Sequence, residues 1–228
     1  MSPGDELELK DYRLRGFPAP DAHATLRKLT LANNVIREFP VYTLTVAKLD
    51  ELNLSGNLIY LVPPEITKLL HIRKLFLQSN SLTQLPKEIS QLDELIDLDV
   101  SSNQLVSLPE SLPRLLNLRR LCASRNRLKK LPRDLSTLTS LWELHLDYNN
   151  LESLPDSFHG MTELKMLLLD ANNLRELPQS IGHCLALQVS EMYVCICAYI
   201  NTYVAAHPRQ QSVHSAPVHR QLPGPLRV

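Results

Sequence analysis

The stretch LIDLDVSSNQLVSLPESL, residues 95–112, decides the fold of this 228-residue chain. From Leu95 to Leu108, apolar residues and one asparagine stand alternately three and two positions apart. That spacing fits neither the 3.6-residue period of a helix nor the two-residue period of a long strand. Only the pair Leu98 and Val100 alternates as a strand does, which predicts a very short strand with both side chains pointing inward.

The same pattern recurs every 23 residues, seven times, without insertion or deletion. The opening apolar residues are Leu26, Leu49, Ile72, Leu95, Leu118, Leu141 and Leu164. An asparagine follows eight positions later in every copy, at Asn34, Asn57, Asn80, Asn103, Asn126, Asn149 and Asn172. A proline follows six positions after each asparagine. A fixed period of this length predicts an array of stacked structural repeats.

Each copy is predicted to form one turn of a coil, with its strand paired to the strands of its neighbours. Parallel strands stacked in this way lie about 4.8 Å apart. The asparagine falls where the chain turns, and its amide can satisfy backbone groups and neighbouring asparagines. Apolar residues three positions apart in the outer half, such as Ile89 and Leu92, predict a short helix or 3₁₀ turn facing the core. No copy can bury its own leucines, so the ends need caps.

The segment LDELIDLDVSSNQLVSLPESLPRL, residues 92–115, carries the leucine-rich-repeat signature L-x-x-L-x-L-x-x-N-x-L. Its 23-residue length and L-P step resemble the Ras-suppressor-like and plant intracellular Ras-group leucine-rich-repeat families. The resemblance covers residues 26 to about 188. It implies an α/β solenoid with a curved parallel sheet on the concave face and helical or 3₁₀ segments on the convex face. It also implies a non-enzymatic scaffold linked to small GTPases, kinase signalling or adhesion complexes, and it supplies no ligand residues.

Four segments are expected along the chain. Residues 1–25 are a partial repeat and cap, in which Leu7 stands 22 rather than 23 positions before Leu29. Residues 26–186 are the seven repeats. Residues 187–206 form either a degenerate eighth repeat, with Ser190 in a leucine position, or a non-native end. Residues 207–228 are expected to be a disordered tail.

The abrupt change after Gln188 leaves two further alternatives open. Residues 189–228 are either a native C-terminus or an alternative or read-through end. The apolar run within 185–206 could also be a membrane anchor, but Gln188 and Glu191 interrupt the roughly 20 apolar residues that a span needs. A membrane span is therefore not favoured.

The composition and the N-terminal sequence indicate which partners the protein binds and in which compartment it is located. The 24 Lys and Arg residues balance the 24 Asp and Glu residues, so the chain lacks the basic footprint that nucleic-acid binding needs. The N-terminus MSPGDELELK has no apolar core of a secretory signal peptide. The four cysteines then do not predict disulfides, and we expect a reduced, cytoplasmic protein.

Side chains that flank the inward leucines are predicted to line the concave face. The residues that lead the strands alternate in charge, as Lys28, Glu51, Lys74, Asp97, Arg120, Glu143 and Met166. Two interpretations stay open, since such a ladder either keeps the repeats in register or binds a partner. Exposed aromatic and arginine residues dominate protein interfaces, which predicts a partner-binding surface comprising Phe76, Arg119, Arg120, Arg125, Trp142, His145 and Tyr148. Trp142 alternatively packs over a neighbouring aliphatic stem.

The sequence favours neither a catalytic site nor a metal-binding site. Asp99, Cys122 and His145 occupy equivalent positions on consecutive strands, but an open sheet offers no oxyanion hole and excludes no water. His183, Cys184, Cys195 and Cys197 contain zinc-ligating atoms, although Cys184 fills a buried leucine position. No catalytic residue, metal or cofactor is therefore expected.

The sequence predicts an intracellular scaffold or adaptor that binds a protein, such as a small GTPase or signalling protein, across its concave face. The alternative is a truncated or membrane-attached receptor-like protein with 185–206 as its anchor. The oligomeric state is not fixed by the sequence.

Overall fold

The computed structural model of the chain describes residues 5–17, 25–187 and 192–193. Cys195, Cys197, the tail predicted at 207–228 and most of the anchor considered at 185–206 lie outside the described residues.

A single curved sheet of parallel strands runs the length of the solenoid, in strict sequence order. The strands are β1 (Glu6–Glu8), β2 (Lys28–Thr30), β3 (Glu51–Asn53), β4 (Lys74–Phe76), β5 (Asp97–Asp99), β6 (Arg120–Cys122), β7 (Glu143–His145), β8 (Met166–Leu168) and β9 (Met192–Tyr193). From β2 to β8 the register advances by one repeat per strand, as in Leu98 opposite Leu121. The predicted fold class is confirmed.

The strands are three residues long because only the L-x-L unit alternates between core and surface. Leu98 and Val100 are fully buried, and the residues between and beside them face the concave side. The inward side chains of successive repeats form one continuous aliphatic core from Phe17 to Leu187. The burial of each repeat therefore depends on its neighbours.

The outer side of most repeats contains a short 3₁₀ helix, as the apolar spacing predicts. These helices are Val41–Thr45, Pro64–Lys68, Lys87–Gln91, Leu112–Arg114, Phe158–Gly160 and Gln179–His183. The expectation fails in the fifth repeat, where residues 132–138 contain a bend at Arg133 and a turn at 136–137 and no 3₁₀ helix. There Asp134 Oδ1 accepts hydrogen bonds from the Ser136 N–H at 2.9 Å and the Ser136 hydroxyl at 2.6 Å. Such a local side-chain turn competes with helical hydrogen bonding.

The N-terminal strand covers the exposed edge of the first full repeat. Leu7 of β1 lies opposite Leu29, and Leu7, Leu9 and Leu14 pack against the core while remaining partly exposed. Tyr12 occupies the asparagine position of this shorter unit but points outward, with 68% of its surface exposed. The turn is held instead by Asn34, which reaches back from the next repeat.

The register changes at the C-terminal strand. Met192 lies opposite Leu167, 25 residues earlier, whereas the 23-residue period places Ser190 there. The predicted alignment of the eighth repeat is therefore wrong by two residues. A shift of two residues preserves the alternation of the strand between its two faces. Within the described residues, no helix is long and apolar enough to cross a membrane.

Candidate functional site

The asparagines form a ladder that ties each repeat to the backbone of the preceding one. Asn57 Nδ2 donates to the Leu31 carbonyl oxygen of the preceding repeat at 2.9 Å and to the Leu54 oxygen of its own repeat at 3.0 Å. Its Oδ1 accepts from the Ile36 N–H at 3.1 Å. Asn34 makes the equivalent bonds to the N-terminal unit. The full ladder is Asn34, Asn57, Asn80, Asn103, Asn126, Asn149 and Asn172.

One detail of the ladder differs from the expectation. The amides were expected to satisfy one another as well, but their hydrogen bonds in the described structure go to backbone groups. The backbone spacing explains this, since both orphan N–H and carbonyl groups of the preceding turn lie within reach of one amide.

The residue before each ladder asparagine adopts a left-handed backbone conformation. These residues are Asn33, Gly56, Ser79, Ser102, Arg125, Tyr148 and Ala171, with φ between 52° and 63°. A positive φ is costly for residues other than glycine, and it is tolerated here because the ladder hydrogen bonds hold the turn. This turn places Arg125 and Tyr148 side by side at one edge of the concave face. Their sequence positions alone did not reveal it, because only Gly56 and Asn33 are typical of the conformation.

Arg120 lies at the centre of a network of three carboxylates. Its Nη1 donates to Asp97 Oδ1 at 2.9 Å, its Nη2 lies 3.3 Å from Asp99 Oδ2, and its Nε lies 3.4 Å from Glu143 Oε2. Burial opposes the charge of the guanidinium, but the hydrogen bond and charge of Asp97, with the charge of Asp99, outweigh it and raise the pKa of Arg120. Arg120, predicted both as a member of the charge ladder and as a partner-binding residue, is thus already engaged within the sheet.

His145 is also less available than predicted. Only 17% of its side chain is exposed, and its Nε2 lies 3.6 Å from Glu143 Oε2 without a hydrogen bond among the described residues. Burial, followed by the nearby charge of Arg120, lowers the pKa of His145. Its ring is therefore a component of the packed concave surface.

The two aromatic residues of the sixth repeat remain accessible. Trp142 is 46% exposed and Tyr148 is 51% exposed, at opposite ends of the same strand segment. Lys165 Nζ lies 4.3 Å from the Trp142 ring centroid, and the Arg125 guanidinium lies 4.3 Å from that of Tyr148. The contact of Trp142 is thus with the charged end of a lysine of the next repeat, whereas the alternative expectation was packing over an aliphatic stem.

The other predicted surface residues occupy the same face. Arg119 is exposed beside Trp142, and its backbone oxygen accepts the Trp142 N–H at 2.8 Å. Phe76 is partly exposed on β4, opposite Asn53 and Asp99. The structure brings together Arg119, Arg120, Trp142 and His145, with Arg125 and Tyr148 at the edge, whereas Phe76 lies two repeats from β6.

The charge ladder forms real ion pairs across adjacent strands. Lys28 pairs with Glu6 at 3.0 Å and Lys74 with Glu51 at 3.7 Å, in addition to the contacts of Arg120. Beside them, Arg27 pairs with Asp50 at 2.8 Å. Because these pairs join neighbouring repeats in register, they support the stabilising interpretation of this part of the concave face.

The environment of Cys122 opposes a nucleophilic role. The residue is buried, and burial, reinforced by the charge of Asp99, raises the pKa of its thiol. A nucleophilic cysteine needs the opposite shift of its pKa.

Cys184 is packed in the core. Its Sγ lies 3.5 Å from the Phe158 carbonyl oxygen, and burial raises the pKa of its thiol to about 11. Within the described residues, no group of three His, Cys, Asp or Glu side chains is arranged to hold a metal. The other two cysteines considered for zinc lie outside the described residues.

One flank of the solenoid, between the strands and the convex side, carries features that the reading of the strands missed. On the first two repeats this flank exposes six large apolar side chains: Val35, Val41, Tyr42, Leu58, Tyr60 and Leu61. We call these six residues the apolar flank. Equivalent positions in the third repeat are Ser81, Lys87, Glu88, Thr83 and Gln84 among others. Comparing every position across the seven copies, and not only the strand positions, would have revealed this difference.

Comparisons with known proteins agree with this architecture. The family described as "Leucine-rich repeat region" matches residues 25–147, and that described as "Leucine Rich Repeat" matches residues 140–161. None of the curated proteins searched is similar enough in sequence to match.

Three solved structures similar to this chain come from two bacteria and a plant. A leucine-rich-repeat protein of Leptospira interrogans is 28% identical with a TM-score of 0.75, over 88% of this chain and 58% of that one. Internalin C2 of Listeria monocytogenes is 23% identical with a TM-score of 0.72, over 83% and 80%. The plant peptide hormone receptor RGFR1 in complex with RGF2 is 26% identical with a TM-score of 0.61, over 72% and 31%. The chain thus spans little more than half of the Leptospira protein and a third of the plant receptor.

Proposed function

This chain belongs to the leucine-rich repeat family, and we propose that it is a non-enzymatic cytoplasmic scaffold that binds a protein partner across the concave face of repeats five and six. Repeats of this family generally serve as protein-interaction modules. The division into a cap at 1–25, seven repeats at 26–186, a degenerate repeat at 187–206 and a tail at 207–228 is part of this proposal.

The observation that carries the proposal is the exposure of Trp142 and Tyr148 on a rigid sheet. Each residue keeps about half of its surface exposed, and a neighbouring cation lies over each ring. Aromatic side chains held in one orientation make strong interface anchors, because little conformational entropy is lost when they are covered. Arg119 and Arg125 supply hydrogen-bond donors beside them.

Arg120 and His145 have a supporting role in this proposal. They lie between the two aromatic residues, and their contacts with Asp97, Asp99 and Glu143 fix the floor of the surface. A partner thus meets a surface that is already organised, and Phe76 extends it toward the third repeat.

The class of partner is the finer part of the proposal. The resemblance of the 23-residue motif to the Ras-suppressor-like and plant intracellular Ras-group families supports a small GTPase or another signalling protein. It also supports a cytoplasmic location.

Site-specific photo-crosslinking in cells tests both parts. A benzophenone amino acid at position 142 should yield a crosslinked partner, whereas one at Leu116, which is 56% exposed outside the strands, should not. Tyr148→Ala should reduce the crosslink at position 142. Identification of the partner by mass spectrometry then tests the signalling class.

A matched pair of aromatic substitutions locates the surface with the partner so identified. Trp142→Ala should weaken binding by about thirtyfold or more while changing stability little, since interface anchors of this type contribute about 2 kcal/mol or more. Tyr60→Ala removes an aromatic ring of comparable exposure, 53%, from the apolar flank and should leave affinity unchanged. The reverse result would place the interface on the flank and contradict the proposal.

A second candidate is favoured by one comparison, the similarity to a plant peptide hormone receptor. In that case the chain is a truncated or membrane-attached receptor-like protein, with 185–206 as its anchor. Alkaline carbonate extraction of membranes separates the candidates, because an anchored protein stays in the pellet and the scaffold is released.

A further inference from the structure

We propose that the flank of the fifth repeat is a docking surface for an extended acidic polypeptide segment, whose carboxylate or phosphate groups bind five cations there. The basic ridge consists of Arg125, Arg127, Lys129, Lys130 and Arg133. The ridge shares Arg125 with the edge of the concave surface, but it does not include Trp142 and does not depend on the concave-face proposal.

The internal repeat shows that the ridge is not a requirement of the fold. Arg127, Lys129, Lys130 and Arg133 occupy the tenth, twelfth, thirteenth and sixteenth positions of their repeat. The equivalent residues of the sixth repeat are Asn150, Glu152, Ser153 and Asp156, and those of the fourth are Gln104, Val106, Ser107 and Glu110. In each other repeat at most one of the five equivalent positions is basic. The solenoid therefore forms equally well without these cations.

All five side chains are exposed, and the backbone beneath them is fixed. The Arg127 N–H donates to the Leu105 oxygen at 2.9 Å, and the Lys129 N–H donates to the Val106 oxygen at 3.2 Å. The next residue, Lys130, pairs with Ser107 in a parallel bridge, while Leu128 and Leu131 anchor the segment in the core. The cations thus project from a rigid edge at set intervals.

None of the described carboxylates forms an ion pair with a cation of the ridge. Among residues 25–187, the lysine and arginine residues that pair with carboxylates are Arg27, Lys74 and Arg120. The five ridge residues are not among them. Arg125 lies over the Tyr148 ring, which leaves its charge in place. Five like charges on nine consecutive positions repel one another, and an anionic partner relieves that repulsion.

The width of the ridge indicates the shape of its partner. Glu110 in the fourth repeat and Glu152 and Asp156 in the sixth border the ridge on either side. Glu110 Oε2 accepts a hydrogen bond from the backbone N–H of Arg133 at 3.0 Å. A planar anionic membrane would press against these carboxylates, and a long nucleic acid would extend across them. A single extended polypeptide lying along the ridge meets the cations and has the least contact with these carboxylates.

Fluorescence anisotropy with labelled decapeptides tests the inference on the full-length chain. Decaglutamate should bind, with affinity that falls as salt concentration rises, and decaglutamine should not. A decapeptide that alternates phosphoserine and glycine decides the source of the anion. Tighter binding of this peptide than of decaglutamate assigns phosphate groups, and weaker binding assigns carboxylates.

The matched variants use equivalent positions of two repeats. Lys129→Glu combined with Lys130→Glu should weaken decaglutamate binding by about tenfold or more. Arg175→Glu, at the position of the seventh repeat equivalent to Lys129, should change it by less than about twofold. Circular dichroism of each variant verifies folding, and Trp142→Ala should leave peptide binding unchanged, which separates this surface from the concave one.

Three results would overturn the inference. One is the absence of salt-dependent decaglutamate binding, and another is an equal loss of binding in Arg175→Glu. The third is a preference for phosphatidylserine vesicles over both acidic peptides in co-sedimentation, abolished by the double lysine variant, which would assign the ridge to a membrane.

Discussion

The side-chain amide nitrogen of Asn103 donates a hydrogen bond of 3.0 Å to the backbone oxygen of Leu77, which lies 26 residues earlier and one repeat away. The same nitrogen contacts the Val100 and Ser101 oxygens, and Oδ1 accepts the buried Leu82 N–H at 2.9 Å. One side chain thus satisfies backbone groups of two repeats. Repetition of this bond along the solenoid couples each turn to its neighbour.

Replacement of Asn103 should be costly although the residue is neither apolar nor catalytic. Asn103→Ala leaves the buried Leu82 N–H and the facing carbonyl groups unsatisfied, and we expect a loss of about 1–3 kcal/mol or more in the free energy of unfolding. Urea denaturation measures the difference. Asn150→Ala, which removes an exposed asparagine of the sixth repeat, should change stability by less than about 0.5 kcal/mol.

Leu98 provides the corresponding test of the core. Its side chain is fully buried between Leu75 and Leu121 on adjacent strands, so Leu98→Ala should reduce the free energy of unfolding by about 2–5 kcal/mol. Leu116→Ala, at a position 56% exposed, is the matched control and should have a small effect. Equal losses in the two variants would contradict the assigned inward and outward positions.

His145 should make stability depend on pH. Burial and the charge of Arg120 lower the pKa of its imidazole below 6.5, although Glu143, Asp147 and Asp99 act in the opposite direction. The unfolded chain therefore binds a proton at a higher pH than the folded chain, so stability falls as pH decreases below 6.5. Each pH unit with a difference of one bound proton contributes about 1.4 kcal/mol.

His145→Gln isolates this contribution from that of the other histidines. Urea denaturation at a series of pH values should show a shallower loss of stability below pH 6.5 in the variant than in the original chain. Parallel curves for the two proteins would show that His145 titrates alike when folded and unfolded.

The buried thiols should react slowly. Burial raises the pKa of both Cys122 and Cys184, the latter to about 11, which lowers the thiolate fraction at neutral pH. In a chain with Cys195→Ser and Cys197→Ser, a disulfide reagent should modify neither residue until urea unfolds the protein. Rapid modification of Cys122 in the native state would revive the nucleophilic role that its surroundings oppose.

The parts of the structure that follow from local periodicity were predictable. The pairing of β2 to β8, the inward leucines and the opposite charges of adjacent strands all follow from stepping along the sequence by 23 residues. The prediction was wrong at two places where the backbone departs from the 23-residue repeat. A side-chain turn at Asp134 replaces the 3₁₀ helix of the fifth repeat, and β9 pairs two residues later than the period requires.

The composition of the candidate surface was predictable, but the availability of its side chains was not. Arg120 and Trp142 were both predicted to be exposed on the concave face. In the structure Arg120 pairs with three carboxylates, whereas Trp142 keeps 46% of its surface accessible. The left-handed turn that places Tyr148 beside Arg125 also had no clear sign in their residue types.

The sequence by itself determined the number of repeats, their stacking order and which residues face the core, because in a solenoid each of these follows from the spacing of apolar residues along one chain. Only the tertiary structure decided which surface charges are paired and which remain accessible. The pairing and accessibility of a charge depend on its burial and on the distances between side chains of neighbouring repeats. Both quantities differ between residues of the same type at equivalent positions.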